Sequence, residues 1–147
     1  QEFGFREYQR QIIRNAQFLA QSLLDEGFTL VTGGTDNHLM LVDLRNKGIS
    51  GREAANLCEA AGLVANKNLI PGDPANPVET SGIRFGTPAV TTRGMKESEM
   101  QLIGKWIARV VHDGRNDDGT PNEAVLAQVR DEVRQLCEAF PIYEDLV

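Results

Sequence analysis

A chain of 147 residues, 41% hydrophobic and 24% charged, is long enough for one domain with a real core and too short for two comfortable ones. Its formal net charge of −6 argues against a nucleic-acid or anionic-membrane surface, since both need a basic footprint. No apolar run approaches the roughly 20 residues of a membrane-crossing helix, and no signal-peptide pattern opens the chain.

The sequence begins at Gln1, without a methionine, and a helical pattern starts almost at once, which reads as a piece of something larger. Phe5, Tyr8, Ile12, Ala16, Leu19 and Leu23 recur at three- and four-residue steps. That spacing predicts a helix over 5–26, ended by Gly27. Residues 28–32 read as a short strand and 38–44 as a second. The turn Gly33-Gly34-Thr35-Asp36-Asn37 joins them into a hairpin. In the second strand Leu39, Leu41 and Asp43 face one way, and Met40, Val42 and Leu44 the other. Two largely apolar faces place it centrally in a sheet. Ser50-Gly51-Arg52-Glu53 is a capping box. It opens a helix to about Ala61 with Ala54, Leu57, Cys58 and Ala61 inward, closed by Gly62. Residues 63–66 read as a third strand. The stretch 67–80 carries Pro71, Pro74 and Pro77, too many for regular structure, and its length favours a functional loop.

From Ser81 to Gly94 a strand runs straight into a helix start. Ile83 and Phe85 point one way and Arg84 the other. Thr87 reads as an N-cap, Pro88 as the first helical residue and Gly94 as the stop. Gly82 and Gly86 leave room for a ligand or another backbone to come close. Arg84 therefore reads in two ways: an edge-strand arginine in a surface ion pair, or a fixed fork for a carboxylate or phosphate. A helix over 96–111 turns Met100, Ile103, Ile107 and Val110 inward, with Trp106 flanking. His112 falls at its C-terminal end, where the helix dipole favours a cation. After a solvated turn over 112–119, Thr120-Pro121-Asn122-Glu123 reads as another capping box. The last helix reaches about Ala139, with Val125, Val129, Val133, Leu136 and Phe140 on one face and Pro141 as its stop. This order predicts a single α+β domain over 1–147: a small, largely antiparallel sheet of three to four strands with helices packed on one face.

The sequence holds no GxSxG, HExxH, P-loop or GxGxxG. Cys58 and Cys137 fall in helical apolar patterns and read as buried free thiols of a reducing compartment. No Cys and His cluster has metal-ligand spacing. Gly33-Gly34 reads as a tight turn in preference to a phosphate cradle, and His38 as a structural hydrogen-bonder in preference to a partner of Asp36. Asp117-Asp118 and Glu97 with Glu99 read as solvated acidic pairs. What remains is a binding half-site made of Arg84 and the polar run Asn66-Lys67-Asn68. Amides there can read the donors and acceptors of a heterocycle; Asn68 can equally open the proline loop as an Asx turn.

Three motifs, in this order and spacing, carry a resemblance: Thr32-Gly33-Gly34-Thr35-Asp36-Asn37-His38, Asn66-Lys67-Asn68-Leu69-Ile70-Pro71 and Ser81-Gly82-Ile83-Arg84-Phe85-Gly86-Thr87-Pro88-Ala89. Together they closely resemble serine hydroxymethyltransferase, and the likeness covers nearly the whole chain. The resemblance implies the C-terminal small domain of that enzyme, with the fold of the C-terminal domain of fold-type I pyridoxal-phosphate enzymes. It implies a long first helix that packs on a large N-terminal domain outside this chain. The enzyme so implied is a cytoplasmic homodimer or dimer-based assembly. It moves a one-carbon unit between serine and glycine, with pyridoxal 5'-phosphate as cofactor and tetrahydrofolate as co-substrate. Arg84 matches the arginine that grips the α-carboxylate of the amino acid, and Asn68 the asparagine that contacts the folate pteridine. Asn76-Pro77-Val78 lies where the family contributes further folate contacts; the family often has Ser-Pro-Phe there, and this chain keeps only the proline. The family's cofactor lysine sits in a Thr-Thr-His-Lys setting, which surrounds none of Lys47, Lys67, Lys96 or Lys105. The resemblance therefore implies no catalytic residue here and no activity for the chain alone. Two other readings stand beside it: a free-standing α+β ligand-binding or regulatory module without catalysis, and another pyridoxal-phosphate enzyme such as an aminotransferase, against which Asn66-Lys67-Asn68 speaks.

Overall fold

The computed structural model describes residues 2–33 and 38–141. In chain order the elements are helix α1 (Glu2–Asp25), strands β1 (Thr29–Leu30) and β2 (Leu39–Asp43), a single 3-10 turn (Arg45–Lys47), α2 (Gly51–Ala60), β3 (Asn66–Asn68), β4 (Gly82–Gly86), α3 (Pro88–Thr92), α4 (Glu97–Asp113) and α5 (Glu123–Ala139). The four strands lie in the order β1-β2-β4-β3, and every pairing is antiparallel. This is the α+β arrangement expected from the sequence.

The core forms where the apolar face of the sheet meets the helices. Met40 and Val42 of β2 stand opposite Phe85 and Ile83 of β4, and all four are buried. α1 contributes Ile12, Ala16, Leu19 and Leu23, as its periodicity predicts. Phe5, expected on the same stripe, is 62% exposed; the first turns of α1 reach past the elements that cover the rest. α4 lies along α1 and buries Met100, Ile107 and Val110. Its Gly104 is what lets the two helices approach, because a Cβ there would run into the Ser22 side chain. Trp106, expected to flank the core, is inside it, and its indole N–H donates to Glu132 (2.6 Å). α5 covers the outside of α4, burying Leu126 and Val129 and half-burying Val125, Val133, Leu136 and Phe140.

Several local expectations change. The third strand is Asn66–Asn68, not 63–66. Leu63 is drawn into the core while its N–H bonds Cys58, and Val64 is 90% exposed. Pairing with β4, not apolar content, decides which residues form the edge strand. β1 is shorter than 28–32, at Thr29–Leu30. Ser50 accepts from the Glu53 N–H (3.1 Å) as expected, while the Glu53 carboxylate is engaged by Arg115 (3.0 Å). The Thr87 hydroxyl does not cap α3; it donates to the Ile12 carbonyl (2.8 Å) and ties the helix to α1. α3 does stop at Gly94, with φ +92°, and the N–H groups of Gly94 and Met95 return to Thr91 and Val90. The N-cap of α5 is Asn122, not Thr120, whose hydroxyl is spent on Asp118. His112 is not favoured as a cation: burial and then Lys47 pull its pKa below the ordinary value, and its ring stacks on Phe28 at 5.6 Å. Both cysteines are free, but only Cys58 is fully buried, its thiol pushed up to about 12 by desolvation.

Candidate functional site

The face of the sheet turned away from the core carries Arg84. Alternation along β4 buries Ile83 and Phe85 and leaves Arg84 exposed between them. Register then sets its neighbours: Leu41 of β2 on one side and Asn66 of β3 on the other. β4 is an inner strand, not an edge. Among the described residues no acceptor engages the Arg84 guanidinium. The glycines on either side do permit close approach, but the chain itself makes it. A Cβ on Gly82 would lie 2.8 Å from Ile70 and 3.1 Å from Leu41, and one on Gly86 would lie 2.9 Å from Leu39. Neighbouring atoms thus fill the space a side chain would need at Gly82 and Gly86, on both sides of Arg84.

Asn66 and Asn68 lie on the same face, opposite Arg84 and Gly82 respectively. The residue directly across from Arg84 is thus Asn66, a member of the expected polar run to which the resemblance gave no role of its own. The strand period makes both asparagines share a face, but only the register says which one meets the arginine. The Asn68 amide donates to the Leu69 carbonyl (2.9 Å); this is not the Asx turn allowed from the sequence, in which the side-chain oxygen would accept from the backbone two residues on. The Asn68 side-chain oxygen stays available among the described residues. Asn76 is committed the other way: its oxygen accepts from the N–H groups of Val78 and Glu79 (2.9 Å each), leaving its NH2 for a ligand. Pro77 and Val78 are exposed beside it. Lys67 reaches across and donates to the Val78 carbonyl (2.7 Å).

The loop over 69–81 is irregular, as its prolines predict, yet it is tightly bonded. Asp73 accepts from the N–H groups of Ile70 (3.1 Å), Ala75 (2.8 Å) and Ser81 (2.9 Å) and from the Ser81 hydroxyl (2.7 Å). Burial alone would raise its pKa, but these four bonds, the Ser81 hydroxyl foremost, outweigh it and hold the carboxyl well below the usual range. Sequence reasoning missed Asp73; the signal is an aspartate just before a proline in a turn-rich stretch. Thr80 follows in the left-handed region, with φ +58°, and its buried hydroxyl donates to the Gly82 carbonyl (3.0 Å).

A cleft of about 580 Å³ counts Arg84 and Asn66 among its lining residues. Ile103 and Trp106 of α4 and Val133 and Leu136 of α5 supply its apolar wall. No lysine lines this cleft among the described residues. Lys47 instead donates to the Glu26 carbonyl (3.4 Å) and sits 4.8 Å from the centre of the Phe28 ring. The turn next to β2 keeps Gly33 at φ +74°; Gly34 of the disfavoured phosphate cradle and Asp36 of the disfavoured His38 pairing lie outside the described residues. Among the described residues no group of His, Cys, Asp and Glu could hold a metal ion, and no helix is long and apolar enough to cross a membrane.

Residues 1–107, from α1 into α4 and including every residue of the site on the sheet and its loop, match the family model for serine hydroxymethyltransferase.

Proposed function

The chain belongs to the serine hydroxymethyltransferase family, and we infer that it is the C-terminal small domain of such an enzyme, supplying the grip on the amino-acid carboxylate and one wall of the folate site. The observation that carries this reading is the Arg84 guanidinium, held on an inner strand and facing outward with no acceptor among the described residues. Two parallel N–H···O bonds from Arg84 fix the carboxylate of serine or glycine in one plane. That fixes the direction of the bond to be broken at the α-carbon, so Arg84 works by orientation. Pyridoxal 5'-phosphate, when bound, supplies the electron sink for that cleavage. The lysine that holds it belongs to a large domain outside this chain, so the chain alone is inactive.

Tetrahydrofolate suits the other half of the site. The Asn68 oxygen offers an acceptor, the Asn76 amide offers donors, and Pro77 with Val78 offers an apolar edge. The family makes the reaction the interconversion of serine and glycine with transfer of a one-carbon unit. The free thiols of Cys58 and Cys137 suit the reducing cytoplasm, and the complete enzyme works as a homodimer.

Arg84→Lys in the complete enzyme tests the reading. An ammonium cannot reproduce the two-pronged contact, so glycine affinity, followed through the cofactor's absorbance, should fall by about tenfold or more, an expectation scaled from charged hydrogen bonds of ~1.5–3 kcal/mol. The absorbance before glycine is added should be unaltered. Unchanged glycine affinity would overturn the assignment of Arg84.

A further inference from the structure

We propose that Asp73 is a positioning residue that fixes the folate-side loop against the Arg84 strand, which pairing with β3 already joins to Asn66 and Asn68. The proposal rests on the functional reading above.

The argument is one of connectivity. Asn68 ends β3 and Arg84 sits in the middle of β4, with a thirteen-residue irregular loop, 69–81, between these strands. Such a loop has many conformations of similar energy unless something inside it removes them. One carboxylate does so. Its Oδ2 accepts from Ile70 at the start of the loop and from Ser81 at its end, and its Oδ1 accepts from Ala75 and from the Ser81 hydroxyl. Ile70 is two residues beyond Asn68, and Ser81 is three residues before Arg84. Three N–H groups and a hydroxyl converging on a charged acceptor are stronger and more directional than bonds between neutral groups.

The same carboxylate also sets the middle of the loop. Ala75, held by Oδ1, adjoins Asn76, whose oxygen then organises Val78 and Glu79. From the outside Lys67 holds the Val78 carbonyl and Arg52 pairs with Glu79 (3.0 Å). On the other side, the Ser81 carbonyl accepts from the Leu44 N–H (2.9 Å), which ties the same point to the end of β2. Asp73 is the only one of these groups that contacts both ends of the loop. It touches no proposed ligand, so its effect on binding passes through Asn68, Asn76 and Arg84.

The test uses the complete enzyme carrying Asp73→Asn, with Ser81→Ala as the milder variant. An asparagine amide keeps one acceptor oxygen but presents an NH2 where Oδ2 accepts from both ends. Hydrogen exchange of the Ile70, Ala75 and Ser81 amides should speed up in Asp73→Asn, while amides of α1, α4 and α5 keep their protection. The KM for tetrahydrofolate should rise by roughly tenfold and that for serine by less, with kcat changed little. Ser81→Ala should move the same quantities in the same direction by smaller amounts, and it carries the test if Asp73→Asn fails to fold. Unaltered exchange in the loop, or faster exchange with unaltered KM values, would overturn the proposal. Glycine affinity in Arg84→Lys does not depend on Asp73: if that affinity is lost while the Asp73 variants bind normally, the role of Asp73 alone is wrong. If it too is unaltered, the functional reading fails.

Discussion

Asn15 is fully buried in the middle of α1, on the stripe between Ile12 and Leu19. Its NH2 donates to the Thr91 hydroxyl (2.8 Å) and the Met95 carbonyl (2.9 Å), and its oxygen accepts from Gln11 (2.8 Å). A buried amide with both ends used is a specific link between α1 and the turn after α3, and it is costly to break on one side only. Asn15→Ala leaves the Met95 carbonyl without that donor and should lower the stability of the chain by about 1–3 kcal/mol, read as a shift in the urea midpoint. The sequence did not disclose this residue. A polar side chain within an apolar stripe looks like noise in a periodicity until its partners, 76 and 80 positions away, are in place. Arg84 is the opposite case, since strand alternation sends it away from Ile83 and Phe85 whatever the rest of the fold does.

Between elements, the crossing of α1 and α4 depends on an absent side chain. A Cβ on Gly104 would lie 2.6 Å from the Ser22 Cβ, and closer still to its hydroxyl oxygen. Gly104→Ala therefore forces the helices apart and should destabilise the chain by roughly 1–3 kcal/mol, even though alanine favours helix. Ser22→Ala should not rescue it, because the Ser22 Cβ is itself in the way. Thermal unfolding of the single and double variants checks both statements. At this scale the sequence was most informative about helices with a strong period, and least about short strands. α2 and α4 announce themselves through Ser50 and through the Met100, Ile107, Val110 stripe. β3 does not, because Asn66-Lys67-Asn68 has no strand-like composition and is recruited by the free side of β4.

Across the whole molecule, acid acts through a few identifiable groups. The hydrogen bonds of Asp43 to Arg45, and of Asp73 to its loop, hold both carboxyls below their ordinary values. Groups shifted this way stabilise the fold above the unfolded carboxylate range, near pH 4, and lose that contribution as pH falls further. His112 is also shifted down, by burial and by Lys47 against the weaker pull of Asp113 and Glu26. Its neutral form is the one the fold prefers, so its contribution is present above about pH 6.5 and fades as pH drops below it. The urea midpoint of the chain should thus fall in two stages. His112→Gln should remove the stage just below neutrality, and Asp73→Asn should flatten the acid stage. A midpoint in His112→Gln that follows the parent chain between pH 7 and 5.5 would contradict the first.

Composition and period by themselves determined the fold class, the number of long helices, the loop and the outward direction of Arg84. These depend on interactions within a few turns or strand steps, so local spacing suffices. Only the tertiary structure decided that Asn66 faces Arg84, that Leu39 and Leu41 crowd the flanking glycines, that Thr87 serves α1 and that Asp73 joins both ends of the loop. Register and long-range bonding depend on which residues meet after the chain has closed on itself, and no spacing along the chain encodes that meeting.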